Sequence, residues 1–165
     1  MSTVQVMREK FSDAEWALVR HVPVDAFLMV ALSDGDLDKE ELASFGGEIV
    51  HAEGLFNPLH REVAQDIRGG HLEEELKFQL AESASEMTAR VGRTKTMLQT
   101  KLTPDEYQGF IASVFITGAK VARAAGGGGL FGRKDKVSDK EKKALAAFAL
   151  VYGLDVKALD QYPNG

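Results

Sequence analysis

The sequence predicts one all-α domain, a bundle of about seven helices. Helix start signals recur along its 165 residues, and no run of alternating polar and apolar residues between hairpin turns appears. A chain of this length can bury a core without covalent cross-links, and it has no cysteine to form disulfides. We therefore expect residues 1–165 to form a single folding unit.

The helix starts are marked by capping boxes, in which a cap side chain and a glutamate three positions later satisfy each other's backbone N–H groups. Pro23, Pro58 and Pro104 also occupy positions typical of a first helical residue. The capping pairs are Ser12 with Glu15, Asp38 with Glu41, Thr103 with Glu106, and Ser138 with Glu141. They predict helices near residues 13–21, 24–33, 39–53, 58–68, 72–100 (broken near Gly92), 104–125 and 139–152, with a short one near 155–162.

Two of these helices carry clear apolar faces. The helix over 72–100 has leucine, methionine and valine at three- and four-residue spacing, which is typical of a stripe that packs on a core. The helix over 104–125 has a broader apolar face with small residues such as Gly118, where a neighbouring helix could approach closely. We expect this second helix at the centre of the bundle.

The chain also shows an internal repeat. A shift of 100 positions aligns residues 37–41, LDKEE, with residues 137–141, VSDKE, and both segments lead into an apolar helix that ends near a glycine-leucine pair. The alignment predicts a duplication and a pseudo-twofold arrangement of two halves, at about residues 12–70 and 71–162. Such an arrangement would place the two loops near each other.

An acidic segment precedes the repeated helix in the first half. Residues 34–53 contain seven acidic residues and one lysine, and Asp34, Asp36 and Asp38 have the alternate spacing of oxygen ligands around a hard cation. The EF-hand pattern then fails, because Lys39 and Phe45 stand where a glycine and a glutamate are required. The segment is either a weak cation loop or a solvated capping turn.

Three glutamates are candidates for inward-facing ligands. On a helix, Glu41 and Glu48 border the same apolar stripe, and Glu141 is the counterpart of Glu41 in the second half. A glutamate on an inward face needs a partner. For Glu41 and Glu141 that partner is either the N–H of the helix cap or a bound metal ion.

A glycine-rich basic loop is predicted over residues 126–136. It is no phosphate loop, because a helix precedes it and the lysine-serine signature is missing. We expect a flexible linker. Its apolar and basic side chains would suit an acidic partner or an anionic membrane surface, and they are Leu130, Phe131, Arg133, Lys134 and Lys136.

The segments VALSDGDLDKEELASF and KVSDKEKKALAAFALVYGLD resemble the tellurite-resistance TerB-like helical family. The motif that carries the resemblance is Asp34-Gly35 with Leu37 and Glu41. The resemblance implies an all-α bundle whose paired acidic loops hold divalent metal, in proteins linked to stress responses and membrane-associated assemblies. It implies no reaction.

The second half departs from that pattern. Lys134-Asp135-Lys136 replaces the second Asp-Gly, so that Glu141 and Asp135 are the remaining acidic candidates there. Oxygen ligands suit calcium, magnesium or manganese. With incomplete coordination we expect weak binding, in about the micromolar to millimolar range of open sites.

Charge and motifs narrow the function classes. The net charge of −5 argues against general nucleic-acid binding, and no nucleophile elbow, zinc motif or cofactor motif supports an enzyme. The N-terminus lacks the apolar core of a signal peptide, so we expect a cytoplasmic protein. The resemblance, together with Asp34, Asp36 and Glu41, implies a non-catalytic metal-binding scaffold with a protein or membrane partner in a stress response. The alternative is a metal-free helical adaptor or homo-oligomer that contacts a protein or membrane through residues 130–136.

Overall fold

Six α-helices make up most of the chain that the computed structural model describes, namely residues 7–32, 57–127 and 139–161. A kinked turn, Ile67–His71, joins the second helix to the third because the backbone of Gly70 is not helical, and a 3₁₀ helix, Val156–Gln161, follows the last. No strand occurs in these ranges, which confirms the all-α prediction. The α-helices are α1 (Asp13–Ala31), α2 (Pro58–Asp66), α3 (Leu72–Ala81), α4 (Ala84–Lys101), α5 (Pro104–Gly127) and α6 (Asp139–Tyr152).

The start signals of three helices are confirmed. Ser12 and Glu15 form a reciprocal capping box at α1, and Thr103 and Glu106 do the same at α5. At α2 the Asn57 side chain accepts a hydrogen bond from the His60 N–H, and Pro58 is the first helical residue. These short-range patterns satisfy backbone groups that a helix leaves unpaired at its start.

The prediction that Pro23 begins a second helix is wrong, because α1 runs through it without interruption. Proline cannot donate a hydrogen bond to the carbonyl four residues earlier, and in a helix interior it costs about 3 kcal/mol or more. The side chains on both sides of Pro23 are buried, among them Val19, Val22 and Phe27. Packing of this apolar segment offsets the local cost.

The predicted helix over 72–100 divides into α3 and α4 at Glu82 and Ser83, and not near Gly92. Glu82 has extended backbone, and Ser83 forms a capping box with Glu86. Apolar residues continue at helical spacing across this point, so the sequence predicted one helix and not the capping box at Ser83. The glycine-rich loop also begins later than the predicted residue 126, because α5 continues to Gly127.

Helix α1 is the most extensively packed element, since it contacts each of the other five α-helices. Helix α5, which we expected at the centre, packs against α1, α2, α4 and α6. The small Gly118 of α5 lies where two helices approach closely, because a Cβ atom built there would lie 3.3 Å from Leu145 Cδ2 and 3.7 Å from Ala26 Cβ. Both α1 and α5 therefore line the core.

We expect Gly92→Ala to stabilise the fold by about 0.5–1 kcal/mol, since alanine favours helix and restricts the unfolded chain. Gly92 lies inside α4, and a Cβ atom built there has no neighbour within 4 Å. The matched control is Gly118→Ala, whose methyl group would press on Leu145. Urea denaturation measures both free energies of unfolding, and a loss of stability at Gly92→Ala would contradict the expectation.

The predicted duplication stays a prediction, because residues 33–56 and 128–138 lie outside the described residues. Among the described residues, no helix is long and apolar enough to cross a lipid bilayer.

Candidate functional site

Most residues of the predicted metal site and contact loop lie outside the described residues. For the metal site these are Asp34, Asp36, Asp38, Glu41 and Glu48, and for the contact loop Leu130, Phe131, Arg133, Lys134 and Lys136. Within residues 7–32, 57–127 and 139–161, no group of three or more His, Asp or Glu side chains is arranged to hold a metal ion. Glu141 is thus the one predicted ligand that lies within the described residues.

Glu141 is buried, with 2% of its surface exposed, in the first turn of α6. The glutamates of the three described capping boxes differ from it: Glu15 and Glu106 are half-buried, and Glu86 is exposed. Capping alone places a glutamate at the helix surface in these three cases. The burial of Glu141 shows a carboxyl group that faces the protein interior.

The packing of α6 on α1 locates Glu141 along the bundle. The Tyr152 hydroxyl donates a hydrogen bond of 2.7 Å to Asp25 Oδ2, while Leu145 packs in one cluster with Val30. Residue numbers thus rise along α1 as they fall along α6, so the two helices are antiparallel. Glu141, one turn before Leu145, lies at the end of the bundle where α1 ends at Ala31, three residues before the acidic segment begins.

A buried charge cluster keeps α1, α4 and α6 in this register. Arg90 donates to Asp25 through two hydrogen bonds of 3.1 and 2.7 Å, and its Nε donates to Glu82 at 2.9 Å. The Tyr107 hydroxyl of α5 donates to the carbonyl of Tyr152, which ties a fourth helix to the cluster. The Arg90 guanidinium therefore lies between two carboxylates at the junction of α1, α4 and α6.

The pKa values in this cluster are shifted by burial and pairing. Burial raises the pKa of Asp25, against the opposing effect of Arg90 and of the Tyr152 hydroxyl. Burial alone would lower the pKa of Arg90, but its hydrogen bonds to Asp25 and Glu82 outweigh that effect and raise it above its usual value. Arg90 remains a cation, and it stabilises negative charge on both of its partners.

A second polar cluster, which the sequence did not predict, lies beside the kinked turn at Ile67–His71. Asp66 accepts hydrogen bonds from Trp16 Nε1 at 2.9 Å and from Arg20 Nη1 at 3.2 Å. Glu75 accepts a 3.0 Å bond from Arg20 Nε and pairs closely with His21. The cluster connects α1 to both helices that flank the turn.

The Gly69-Gly70 pair is the sequence signal for this turn. Gly70 has φ of 134°, a backbone conformation that residues other than glycine rarely adopt. The turn brings His71 Nε2 to 3.7 Å from Asp66 Oδ1. Each carboxylate here is already paired with the Arg20 guanidinium, so this cluster stabilises the helix packing.

A histidine-serine pair lies in the core. His60 Nδ1 and Ser113 Oγ are 2.7 Å apart, and both residues are buried. Burial lowers the pKa of His60 to about 3, so its ring is neutral in the folded protein. A serine and a histidine at this distance could form a nucleophile-base pair, but a substrate cannot reach a fully buried pair.

Comparisons of the chain with protein-family models, with curated proteins and with solved structures gave no match.

Proposed function

We propose that this chain is a non-catalytic, TerB-like binding module that holds a divalent cation and acts as a scaffold for a protein partner in a stress response such as tellurite resistance. The observation that carries the proposal is the buried carboxyl group of Glu141 at the end of the bundle where the chain leaves α1 for the acidic segment. Its ligands are Glu141 and, from the acidic segment, Asp34, Asp36, Asp38, Glu41 and Glu48.

The chemistry of these side chains favours calcium, magnesium or manganese. Carboxylate oxygens are hard ligands, and the chain has no cysteine to recruit softer metals. Lys134 and Lys136 leave the second half short of ligands, so affinity in about the micromolar to millimolar range is expected.

The second candidate is a metal-free adaptor or homo-oligomer that uses residues 130–136 as a contact surface for a protein or an anionic membrane. The observation that favours it is the repeated use of glutamate as a cap in this chain, at Glu15, Glu86 and Glu106. If Glu41 and Glu141 serve the same purpose, the acidic segment needs no cation.

The two candidates differ in thermal stability with added metal. For the metal-binding module, millimolar calcium or manganese raises the melting temperature, because a ligand that binds only the folded state stabilises it. The stabilisation is about 2.7 kcal/mol when the ligand concentration is 100 times the dissociation constant. Glu41→Gln and Glu141→Gln should remove this rise, since glutamine can still cap a helix but is a poorer metal ligand. Differential scanning fluorimetry measures the effect.

The matched control is Glu106→Gln, which changes a capping-box glutamate at the start of α5, outside the proposed site. This variant should keep the whole rise. If wild-type protein shows no rise, or if Glu141→Gln keeps it, the metal-binding function is wrong and the adaptor function is favoured.

A further inference from the structure

Residues 7–11 precede α1 and form a short strap that polar contacts join to two other helices. The Arg8 N–H donates a hydrogen bond of 3.0 Å to Glu62 Oε2 of α2, and Lys10 Nζ lies 3.3 Å from a carboxylate oxygen of Glu106 in α5. Phe11 is buried at the other end of the strap. The strap therefore docks on the bundle largely through surface contacts, of which the one with Glu62 joins it to α2.

Glu62 is an uncommon acceptor, because it is half-buried and has negative neighbours. Glu9 of the strap and Asp66, one turn further along α2, both act on it with like charge. Arg8 acts with opposite charge, but its guanidinium donates to Asp13 at 2.8 Å. Within the described residues, no basic side chain forms an ion pair with Glu62.

Basic groups of the neighbouring elements are used elsewhere. On α1, Arg20 donates to Asp66 at 3.2 Å, and His71 of the kinked turn lies 3.7 Å from the same carboxylate. Arg61 precedes Glu62 in α2, so it lies about 100° away around the helix axis. A negative charge on Glu62 is thus balanced by one backbone N–H and by the more distant charge of Arg8.

This environment favours the protonated carboxyl group. Burial raises the pKa of Glu62 to about 7, and the negative charges of Glu9 and Asp66 add to the effect, while the N–H and the charge of Arg8 oppose it. Release of the strap would expose the carboxyl group to water and return its pKa towards the ordinary value of 4.5. The docked strap therefore binds this proton more tightly than the released strap does.

We propose that docking of the strap on α2 is a pH-sensitive switch, in which a proton on Glu62 favours the docked strap and loss of that proton favours its release. The protonated group still accepts the Arg8 N–H through its carbonyl oxygen, so protonation keeps the contact and removes the charge. Docking should be strongest below about pH 4.5, weaken as the pH rises, and reach its lowest strength above about pH 7.

Hydrogen exchange of the strap amides, measured by NMR on the whole protein, tests this switch. The N–H of Arg8 bonds to Glu62, and those of Lys10 and Phe11 bond within the strap to the carbonyls of Met7 and Arg8. After correction for intrinsic exchange, their protection should be at least about tenfold greater at about pH 5 than at about pH 7.5. Amides in the middle of α1 should not share this gain, because opening of the strap is local.

Glu62→Gln separates the switch from other effects of pH, because glutamine keeps the acceptor oxygen and carries no charge. Its strap amides should have the same protection at both pH values. The matched control, Glu73→Gln, changes an exposed glutamate of α3 outside the strap and should keep the wild-type pH dependence. Equal strap protection at both pH values in the wild type, the same gain in the middle of α1, or a pH dependence that Glu62→Gln retains would overturn the proposal.

Discussion

Replacement of Arg90 by leucine should lower the free energy of unfolding by about 3–5 kcal/mol, the usual cost of removing one partner from a buried ion pair. Arg90 is buried between Asp25 and Glu82 and donates hydrogen bonds to both. Without the guanidinium, the fully buried Asp25 and the half-buried Glu82 would lose their compensating cation. Urea denaturation followed by circular dichroism measures the loss.

The matched control for this prediction is Lys77→Ala, which breaks the exposed pair between Lys77 and Glu73. Pairs of that kind contribute about 0.3–0.5 kcal/mol on a helix. In the Arg90→Leu background, Asp25→Asn should cost less than it does alone, because it removes a charge that has lost its partner. A cost below about 1 kcal/mol for Arg90→Leu would mean that the cluster does not hold the helices in register.

The contribution of His60 to the stability of the protein should also decline in acid. Its pKa is lowered from 6.5 to about 3 by burial, so between these values the unfolded chain takes up a proton that the folded chain excludes. The contribution of His60 to the free energy of unfolding is complete above pH 6.5. It falls as the pH decreases, by about 1.4 kcal/mol per pH unit. Between pH 6.5 and 4.5 the loss amounts to about 2–3 kcal/mol.

The glutamine of His60→Gln does not titrate, so the free energy of unfolding of this variant should depend less on pH than that of the wild type by this amount. Ser113→Ala is the matched control, because it removes the hydrogen-bond partner of His60 but leaves the ring buried. It should lower stability and keep the wild-type pH dependence. Parallel pH curves for wild type and His60→Gln would show that His60 takes up a proton in the folded state.

The parts of the fold that the sequence predicted correctly depend on short-range chemistry. The caps at Ser12, Asn57 and Thr103 each involve groups three residues apart, so their residue types and spacing are visible in the sequence. The uninterrupted course of α1 through Pro23 depends instead on packing against five other helices. Such packing overrides a local preference and cannot be derived from one segment.

The sequence did not predict the polar clusters, because their members are far apart in the chain. Asp25 and Arg90 are 65 residues apart in the chain, and Asp25 and Tyr152 are 127 apart, so no local pattern pairs them. At the candidate site the sequence identified Glu141 as an inward-facing residue, and its burial confirms that orientation. The sequence could not separate a cap from a ligand at Glu41 and Glu141, because glutamate suits both roles at this position.

Calcium or manganese titration of the purified protein by isothermal calorimetry tests the proposed metal-binding function most directly. The account predicts saturable binding at one site per chain, with a dissociation constant between about 1 µM and 1 mM, and loss of that binding in Glu141→Gln but not in Glu106→Gln. Absence of saturable heat with both metals at millimolar concentration, or equal binding by wild type and Glu141→Gln, would contradict it.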